Sequence, residues 1–375
     1  MTLLLTIVLI AWLLTFATLI LNLLTVPRLR VRQPRGTPLV SVIIPARDEE
    51  RAIESTVRAL LAQTYRALEV IVVNDRSTDA TGEILARIAA EDPRLVVLTG
   101  EEPSPGWLGK PWALAQGSRT ARGKLLLFVD ADILYQPDAV AAAVAEMEAR
   151  GAPMITLFPR FVMRGFWEHV AMPNLPLFGF LFLPLWLSNR TTITALGAGG
   201  GTGNLVRRDV YDSLGGHDAL KDSVVDDVAL ARLFRRGGHR TLFFRADDFV
   251  SVRMYHGLRE VVHGFTKNLF SVFGRSYPAA AFFFFGAIVF HLLPYVLAAF
   301  GNRLALAIVG VITLARLIFF AAAGYRIDNA LFGHPPMMLV WQWITLRSVW
   351  YTGIRRQLLW RGRTYDAKAT RFGAD

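Results

Sequence analysis

The chain has 375 residues, enough for one or two domains with a buried core, so a small cross-linked scaffold is excluded. Hydrophobic residues make up 53% and charged residues 19%, and mean hydropathy is +0.37, which excludes a disordered chain and argues against a wholly soluble globule. Net charge is +11, and there is no cysteine, which removes disulfides, thiolate metal sites and a cysteine nucleophile.

The first segment, Leu3 to Val26, is nearly all apolar and, at ~1.5 Å per residue, long enough to cross a ~30 Å hydrocarbon core. No positive stretch precedes it and it lacks a small-residue cleavage pattern, so residues 1–26 are expected to be a permanent transmembrane anchor. Arg28, Arg30, Arg32 and Arg35 follow it without an acid and place its C-terminal end in the cytoplasm.

Strand and helix patterns then alternate. Val40–Ile44 is a β-branched run, followed by Ile53, Val57, Leu60 and Leu61 at helical spacing. Next come Val70–Val73, a helix over about Ala80–Ala90 capped by Ser77, Thr78 or Asp79, the strand Leu95–Leu98, a helix around Trp112–Arg122 and the strand Leu125–Val129. This alternation predicts an α/β domain with a mostly parallel sheet, assigned to residues 38–265.

Within that span, Val170 to Leu187 is apolar but carries Pro173, Asn174, Pro176 and Pro184, so it is expected to lie in the interface or to re-enter the membrane rather than cross it. Val261, Val262, Phe265 and Leu269 alternate with polar residues, and residues 266–276 are expected to be an amphipathic interfacial segment. Ala279–Phe300 and Leu304–Ala323, separated by Gly301, Asn302 and Arg303, predict a transmembrane hairpin over 279–323. Met337–Val349 is short, and Trp341, Gln342, Trp343 and Trp350 suit it to the headgroup level. Residues 324–375 are thus read as an interfacial segment and a basic cytoplasmic tail. Residues 27–38 carry +4 and residues 346–375 carry +5, both beside apolar segments, which points to anionic lipid and away from nucleic acid.

In parallel sheets, ligands bind beyond the carboxyl ends of the strands. Three strands here end in acids: Ile44 is followed by Pro45-Ala46-Arg47-Asp48-Glu49, Val73 by Asn74-Asp75, and Val129 by Asp130-Ala131-Asp132. Each alone is a helix cap or a solvated loop; together they mark one edge as a site. With a tight turn, Asp130 and Asp132 can face one divalent cation, and two hard oxygen ligands suit Mg²⁺ or Mn²⁺ shared with a diphosphate.

Several motifs stand in order: Ser41-Val-Ile-Ile-Pro-Ala-Arg-Asp-Glu49, Val73-Asn-Asp-Arg-Ser-Thr-Asp79, Val129-Asp-Ala-Asp132, Gly203-Asn-Leu-Val-Arg-Arg208 and Val225-Asp-Asp-Val-Ala-Leu230. From about Val40 to His239 the chain resembles the membrane-bound family-two glycosyltransferases, inverting sugar transferases with a GT-A fold. Gly106-Trp-Leu-Gly-Lys-Pro-Trp-Ala113 and Trp360-Arg-Gly-Arg-Thr-Tyr365 look like the hopanoid-associated and carotenoid glycosyltransferase branch.

The resemblance implies that Asp75, with the loop of Pro45, Arg47 and Glu49, holds the base and ribose of a nucleotide sugar, and that Asp130 and Asp132 carry its diphosphate through Mg²⁺ or Mn²⁺. It also implies that Asp227 is the general base toward an acceptor hydroxyl, with Asp226 in place of the more usual glutamate. Asp226 and Asp227 could equally begin a helix. A phosphate or carboxylate acceptor would need no base. Lys110, in a Gly-Lys-Pro turn ahead of a helix, is placed either to reach donor phosphate or to stand solvated. Trp107 and Trp112 could pack against sugar or lipid, with core packing the favoured reading. Arg253, Lys267 and Asn268 are candidates for contacts over the donor phosphates. The run Gly199-Gly200-Gly201 either lets backbone approach a ligand or forms a mobile loop. His217, His239, His256 and His263 show no metal-ligand spacing and are expected on polar surface.

Because Asp130 and Asp132 precede the Val170–Leu187 stretch and Asp226 and Asp227 follow it, one compartment must hold both halves. The expected protein is an integral protein of the bacterial inner membrane, with a cytoplasmic catalytic domain that moves one sugar from a nucleotide sugar, a UDP-sugar first, to a lipid acceptor of hopanoid or carotenoid type. The absence of a Gln-x-x-Arg-Trp motif argues against processive synthesis. Polyprenyl phosphate is the alternative acceptor, and a non-catalytic membrane scaffold is a further reading. A nicotinamide-dependent oxidoreductase would need a glycine-rich turn after the first strand, where Pro45-Ala-Arg-Asp-Glu49 stands instead.

Overall fold

The computed structural model describes residues 1–355, 357–360 and 363–366, and the remainder of the basic tail lies outside the described residues, as does the side chain of Asn268. The chain forms two compact units that interleave in sequence: residues 26–162 with 187–254, and residues 1–25 with 163–186 and the described residues from 255 to 366.

The first of these units is built on a seven-stranded sheet. Its leading strands are β1 (Val40–Ala46), β2 (Leu68–Asn74), β3 (Leu95–Thr99) and β4 (Leu125–Phe128), and the spatial order is β3-β2-β1-β4, then Asn204–Arg207, Met154–Phe158 and Thr241–Arg245. β1 pairs in parallel with both β2 and β4, and β2 with β3. The mostly parallel sheet is as expected, with one reversal: Asn204–Arg207 runs antiparallel to β4 and to Met154–Phe158. β1, β2 and β4 are apolar nearly throughout because helices cover both faces, as in other parallel sheets. Ile43, Ile71, Leu126, Phe128, Met154, Val206, Leu230 and Phe234 share one core cluster. Burying each such side chain contributes about 1.5–3 kcal/mol against the entropy of ordering the chain.

Helices Ile53–Leu61, Thr81–Glu91 and Gly109–Thr120 connect these strands. The N-cap of Thr81–Glu91 is Ala80 rather than any of the three expected residues, although Asp79, one position earlier, accepts the Thr81 N–H on its Oδ1 at 3.0 Å. Ser77 and Thr78 instead bond to Asp48, so the loops after β1 and β2 are fastened together.

The other unit is helical. Thr2–Thr25, Tyr277–Ala299 and Arg303–Ala323 are long and apolar enough to cross a membrane. Residues 170–187 form no continuous helix but lie across the short helices Phe166–Ala171, Asn174–Phe182 and Leu185–Ser188. The prolines explain the breaks, and Asn22 of the first apolar helix tends the exposed backbone: its Nδ2 donates to the Phe180 and Leu183 carbonyls at 2.8 and 2.7 Å, and its Oδ1 accepts the Trp186 N–H. Gly257–Val272 and His334–Ser348 are helices of the same unit, the latter leaving Leu339, Trp343 and Leu346 exposed.

Candidate active site

The register of the sheet sets the site. Pro45 and Ala46 of β1 oppose Val73 and Asn74 of β2, while Ile43 opposes Phe128 of β4, so the chain leaves all three strands at one edge. Pro45 lies near the end of β1, Arg47 and Glu49 leave β1 there, Asp75 leaves β2, and Asp130 and Asp132 leave β4. The central position of β1 brings the two acid groups to the same rim.

Asp75 is buried, and the Arg47 guanidinium fixes it from the neighbouring loop, donating to its backbone carbonyl at 2.8 Å and standing 3.8 Å from its carboxylate. Arg76 stands 3.6 Å from the other carboxylate oxygen. The loop around Glu49 is held by a bond from its N–H to Thr81 Oγ1 at 2.8 Å. A carboxylate held between two guanidiniums at a strand end suits recognition of a polar ring edge or a ribose diol.

On the other side of β1, Asp226 and Asp227 begin helix Asp226–Arg236, so they are a helix start and also acids of the rim. One pocket is lined by Lys110, Asp130, Gly201, Asn204, His217, Asp226 and Asp227. Lys110 is the hub: its Nζ lies 2.7 Å from Asp130 Oδ1 and 3.3 Å from Asp226 Oδ1. Of the two sequence readings of this lysine, the solvated one is corrected, because the start of helix Gly109–Thr120 aims it into the acid group. Burial acts to lower the Lys110 ammonium, but attraction from Asp130, Asp226 and Asp227 outweighs it and holds the group well above the usual lysine range. Burial pushes Asp226 up to about 6 against the opposing pull of Lys110, and burial likewise raises Asp227.

The glycine run is not a mobile loop but a strap between the two acid groups. A Cβ on Gly199 would lie 2.0 Å from the Asp227 carbonyl oxygen, and one on Gly201 would lie 2.1 Å from Asp130 Oδ2. The strap is pinned by the Asp130 N–H, which donates to the Gly201 carbonyl at 2.8 Å, and by Thr156 Oγ1, which donates to the Ala198 carbonyl at 3.2 Å. Ahead of it, the buried Arg235 holds the Ser188 and Ile193 carbonyls at 2.7 and 2.9 Å. Asp227 Oδ1 accepts the Val228 N–H at 2.7 Å, a bond typical of a helix first turn.

His217 corrects the expectation of a surface histidine. It is 2% exposed, its Nδ1 lies 2.7 Å from Tyr211 Oη, and its ring meets Phe128 edge-on at 4.7 Å. Burial, with Lys110 nearby, pushes the imidazole down to about 3, so it lines the pocket as a neutral group. Asn204 was also unassigned from sequence; its Oδ1 lies 2.8 Å from Thr156 Oγ1, whose one hydroxyl hydrogen is shared with the Ala198 carbonyl, and its Nδ2 donates toward the Asp227 carbonyl at 3.5 Å. Trp112 packs in the interior as expected, edge-on to Trp107 at 4.9 Å. Arg253 follows the strand Val250–Val252 and Lys267 lies in helix Gly257–Val272, in separate units.

Among the described residues no three His, Cys, Asp or Glu side chains group around a metal position. Asp130 and Asp132 both follow β4, and of the two Asp130 lines the pocket, with its side chain 38% exposed; carboxylates are the donor type that fits Mg²⁺ or Mn²⁺ when waters and phosphate oxygens complete the shell.

Residues 41–215 match the family model of Glycosyl transferase family 2. The chain is 27% identical over 245 residues to the 4,4'-diaponeurosporenoate glycosyltransferase of Staphylococcus haemolyticus strain JCSC1435, covering 64% of this chain and 63% of the relative. It is 28% identical over 258 residues to the enzyme of the same name from Staphylococcus aureus strain USA300, covering 66% of each. The chain therefore spans just under two thirds of the length of these relatives. A solved structure, the mannosyltransferase PcManGT of Pyrobaculum calidifontis in complex with GDP-Man and Mn²⁺, superposes with a TM-score of 0.53 at 20% identity over 93% of this chain and 99% of that one, a likeness that bears on the fold.

Proposed function

We propose that the chain, whose residues 41–215 match the family model of Glycosyl transferase family 2 and whose fold is of GT-A type, transfers a single sugar from a nucleotide-sugar donor to a hydrophobic, terpenoid-like acceptor at a membrane, with inversion at the sugar carbon. The observation that carries this reading is the convergence of Asp130, Asp226 and Asp227 on Lys110 in one pocket beyond the carboxyl ends of β1 and β4.

In this reading Asp75, with Pro45, Arg47 and Glu49, receives the nucleoside. Asp130 and Asp132 would hold Mg²⁺ or Mn²⁺, which when bound neutralises charge on the leaving diphosphate. Lys110 faces the same phosphates. Asp227 takes the proton of an acceptor hydroxyl as its oxygen bonds to the sugar carbon and the nucleoside diphosphate departs from the opposite face. Asp226, ion-paired to Lys110, keeps that cation between the donor and acceptor acids.

Two further observations support a lipid acceptor. Three helices are apolar and long enough to cross a membrane, and the staphylococcal relatives are named for a terpenoid carboxylate. A carboxylate acceptor arrives without its proton, so with it the burden on Asp227 falls and the product is a sugar ester rather than a glycoside.

The chemical lability of the product tests the proposal. Membranes containing the protein are given a labelled nucleotide sugar and terpenoid lipids, and the lipid extract is treated with mild acid and, separately, mild alkali. Label that survives acid supports a terpenoid acceptor, and alkali then divides ester from glycoside. Label released by mild acid is a sugar phosphodiester and would replace the terpenoid with polyprenyl phosphate. Donor binding without transfer to any lipid would leave a scaffold.

A further inference from the structure

Lys110 occupies a position that the donor reading leaves unexplained. Its ammonium bonds to Asp130, one of the two acids assigned to the cation, and bridges from it to Asp226 at the acceptor side. Among the described residues these are the only ion pairs of Asp130 and Asp226. Asp130 has little room to turn from the lysine, because its other oxygen, Oδ2, lies against Gly201, where even a methyl group would not fit. Asp226 is likewise fixed, being 5% exposed at the first turn of its helix. The lysine is the movable member: its side chain is 21% exposed and hangs on a flexible stem from the start of helix Gly109–Thr120.

A divalent ion that coordinates Asp130 approaches the same carboxylate that holds the ammonium, and two cations at one carboxylate repel strongly in a pocket of low dielectric. A bare ion therefore competes with Lys110 and gains only one or two carboxylates. An ion that arrives with a nucleoside diphosphate brings phosphate oxygens that complete its own shell and also offer the displaced ammonium a new partner. We propose that Lys110 is a tethered counter-cation that closes the acid group to a free divalent ion, so that metal and donor diphosphate enter together. This rests on the donor-site reading and adds to it an order of loading: little metal is bound before the donor, and the lysine passes from Asp130 to phosphate when the donor binds.

The test reads metal binding rather than turnover. Free Mn²⁺ is titrated by electron paramagnetic resonance against the purified full-length protein, alone and with saturating UDP or GDP, for the wild type, Lys110→Met, Lys110→Arg and Asp132→Asn. The wild type is expected to bind Mn²⁺ at least ten-fold more tightly with nucleotide than without. Lys110→Met removes the competing cation and is expected to bind Mn²⁺ alone several-fold more tightly than the wild type, with a smaller gain from nucleotide; Lys110→Arg keeps the wild-type pattern. Mn²⁺ binding to Lys110→Met alone that is equal to or weaker than that of the wild type would overturn the gate while leaving the donor site standing, provided Asp132→Asn loses binding with nucleotide. Mn²⁺ binding by none of the proteins, with either nucleotide, would overturn the gate together with the donor-site reading.

Discussion

The glycine strap gives a test in which three adjacent residues should behave differently for reasons of space alone. None of Gly199, Gly200 and Gly201 has a positive φ, so alanine is conformationally allowed at each. At Gly200 the new methyl would meet Thr202 Oγ1 at 3.5 Å and Thr156 Cγ2 at 4.0 Å, ordinary contacts. At Gly201 it would stand 2.1 Å from Asp130 Oδ2 and 2.8 Å from its Cγ, so the carboxylate must retreat by about 1.3 Å to reach contact at 3.4 Å. A misplacement of ~1 Å in a reacting group costs roughly 10²-fold in rate. Gly201→Ala is therefore expected to lower kcat/KM for sugar transfer about 100-fold, with a smaller fall in the thermal midpoint than Gly199→Ala, since a side chain moves rather than the backbone. Gly199→Ala meets a backbone carbonyl at 2.0 Å and is expected to lose both activity and stability. Gly200→Ala is expected to stay within about 3-fold of the wild type, allowing for the usual small effect of such a change. The assay is transfer of labelled sugar to the lipid fraction, with the melting midpoint followed in parallel. Full activity in Gly201→Ala, or an equal loss in Gly200→Ala, would refute the claim that the strap sets Asp130.

Asp227→Asn is expected to slow transfer to a hydroxyl acceptor by roughly 10²–10⁴-fold and transfer to a carboxylate acceptor by less than about 10-fold, which paired rate measurements on the two acceptors would decide. Burial raises Asp226 to about 6, above its ordinary value of 3.8, so its contribution to stability is full below pH 3.8 and is lost as pH rises through 6. Asp226→Asn, a neutral match in shape, should thus melt higher than the wild type at pH 8 in chelator and equal to it near pH 4; no gain at pH 8 contradicts the assignment. The chain lacks native cysteine, so Arg160→Cys and Arg208→Cys can be labelled singly in sealed vesicles, and both should react from the same side. Labelling from opposite sides would show that residues 170–187 cross the bilayer. Arg47→Ala frees the Asp75 carbonyl and is expected to raise donor KM about ten-fold with kcat nearly unchanged, whereas an equal fall in kcat would place Arg47 nearer the reacting bond.

The parallel sheet is legible in the sequence because each of β1, β2 and β4 is a short apolar run closed by an acid, a pattern local to a few residues. The antiparallel strand Asn204–Arg207 is not, because Leu205 and Val206 are too brief an apolar run to read without their neighbours. The acids were found for the same local reason, yet their partner was not: Lys110 meets Asp130 and Asp226 only after β1 and β4 have paired and helix Gly109–Thr120 has crossed to them. The glycine run stood out, but its role as a strap depends on two chain segments far apart in sequence. His217 gave a misleading signal, since a histidine beside Gly215, Gly216 and Asp218 reads as a turn at the surface. Its burial comes from Tyr211 and Phe128, whose contact with it is a product of the fold.

The central claim is that one acid group serves both donor and acceptor, and transfer from nucleotide sugar to lipid tests it most directly. Membranes carrying the wild type, Asp132→Asn or Asp227→Asn are incubated with a panel of UDP-, GDP- and dTDP-sugars, Mn²⁺ or Mg²⁺, and lipids of a terpenoid-producing bacterium. The account predicts metal-dependent label in the lipid fraction from one donor, lost in Asp132→Asn for any acceptor and in Asp227→Asn when the acceptor is a hydroxyl. Transfer that survives chelation and Asp132→Asn unchanged would contradict it.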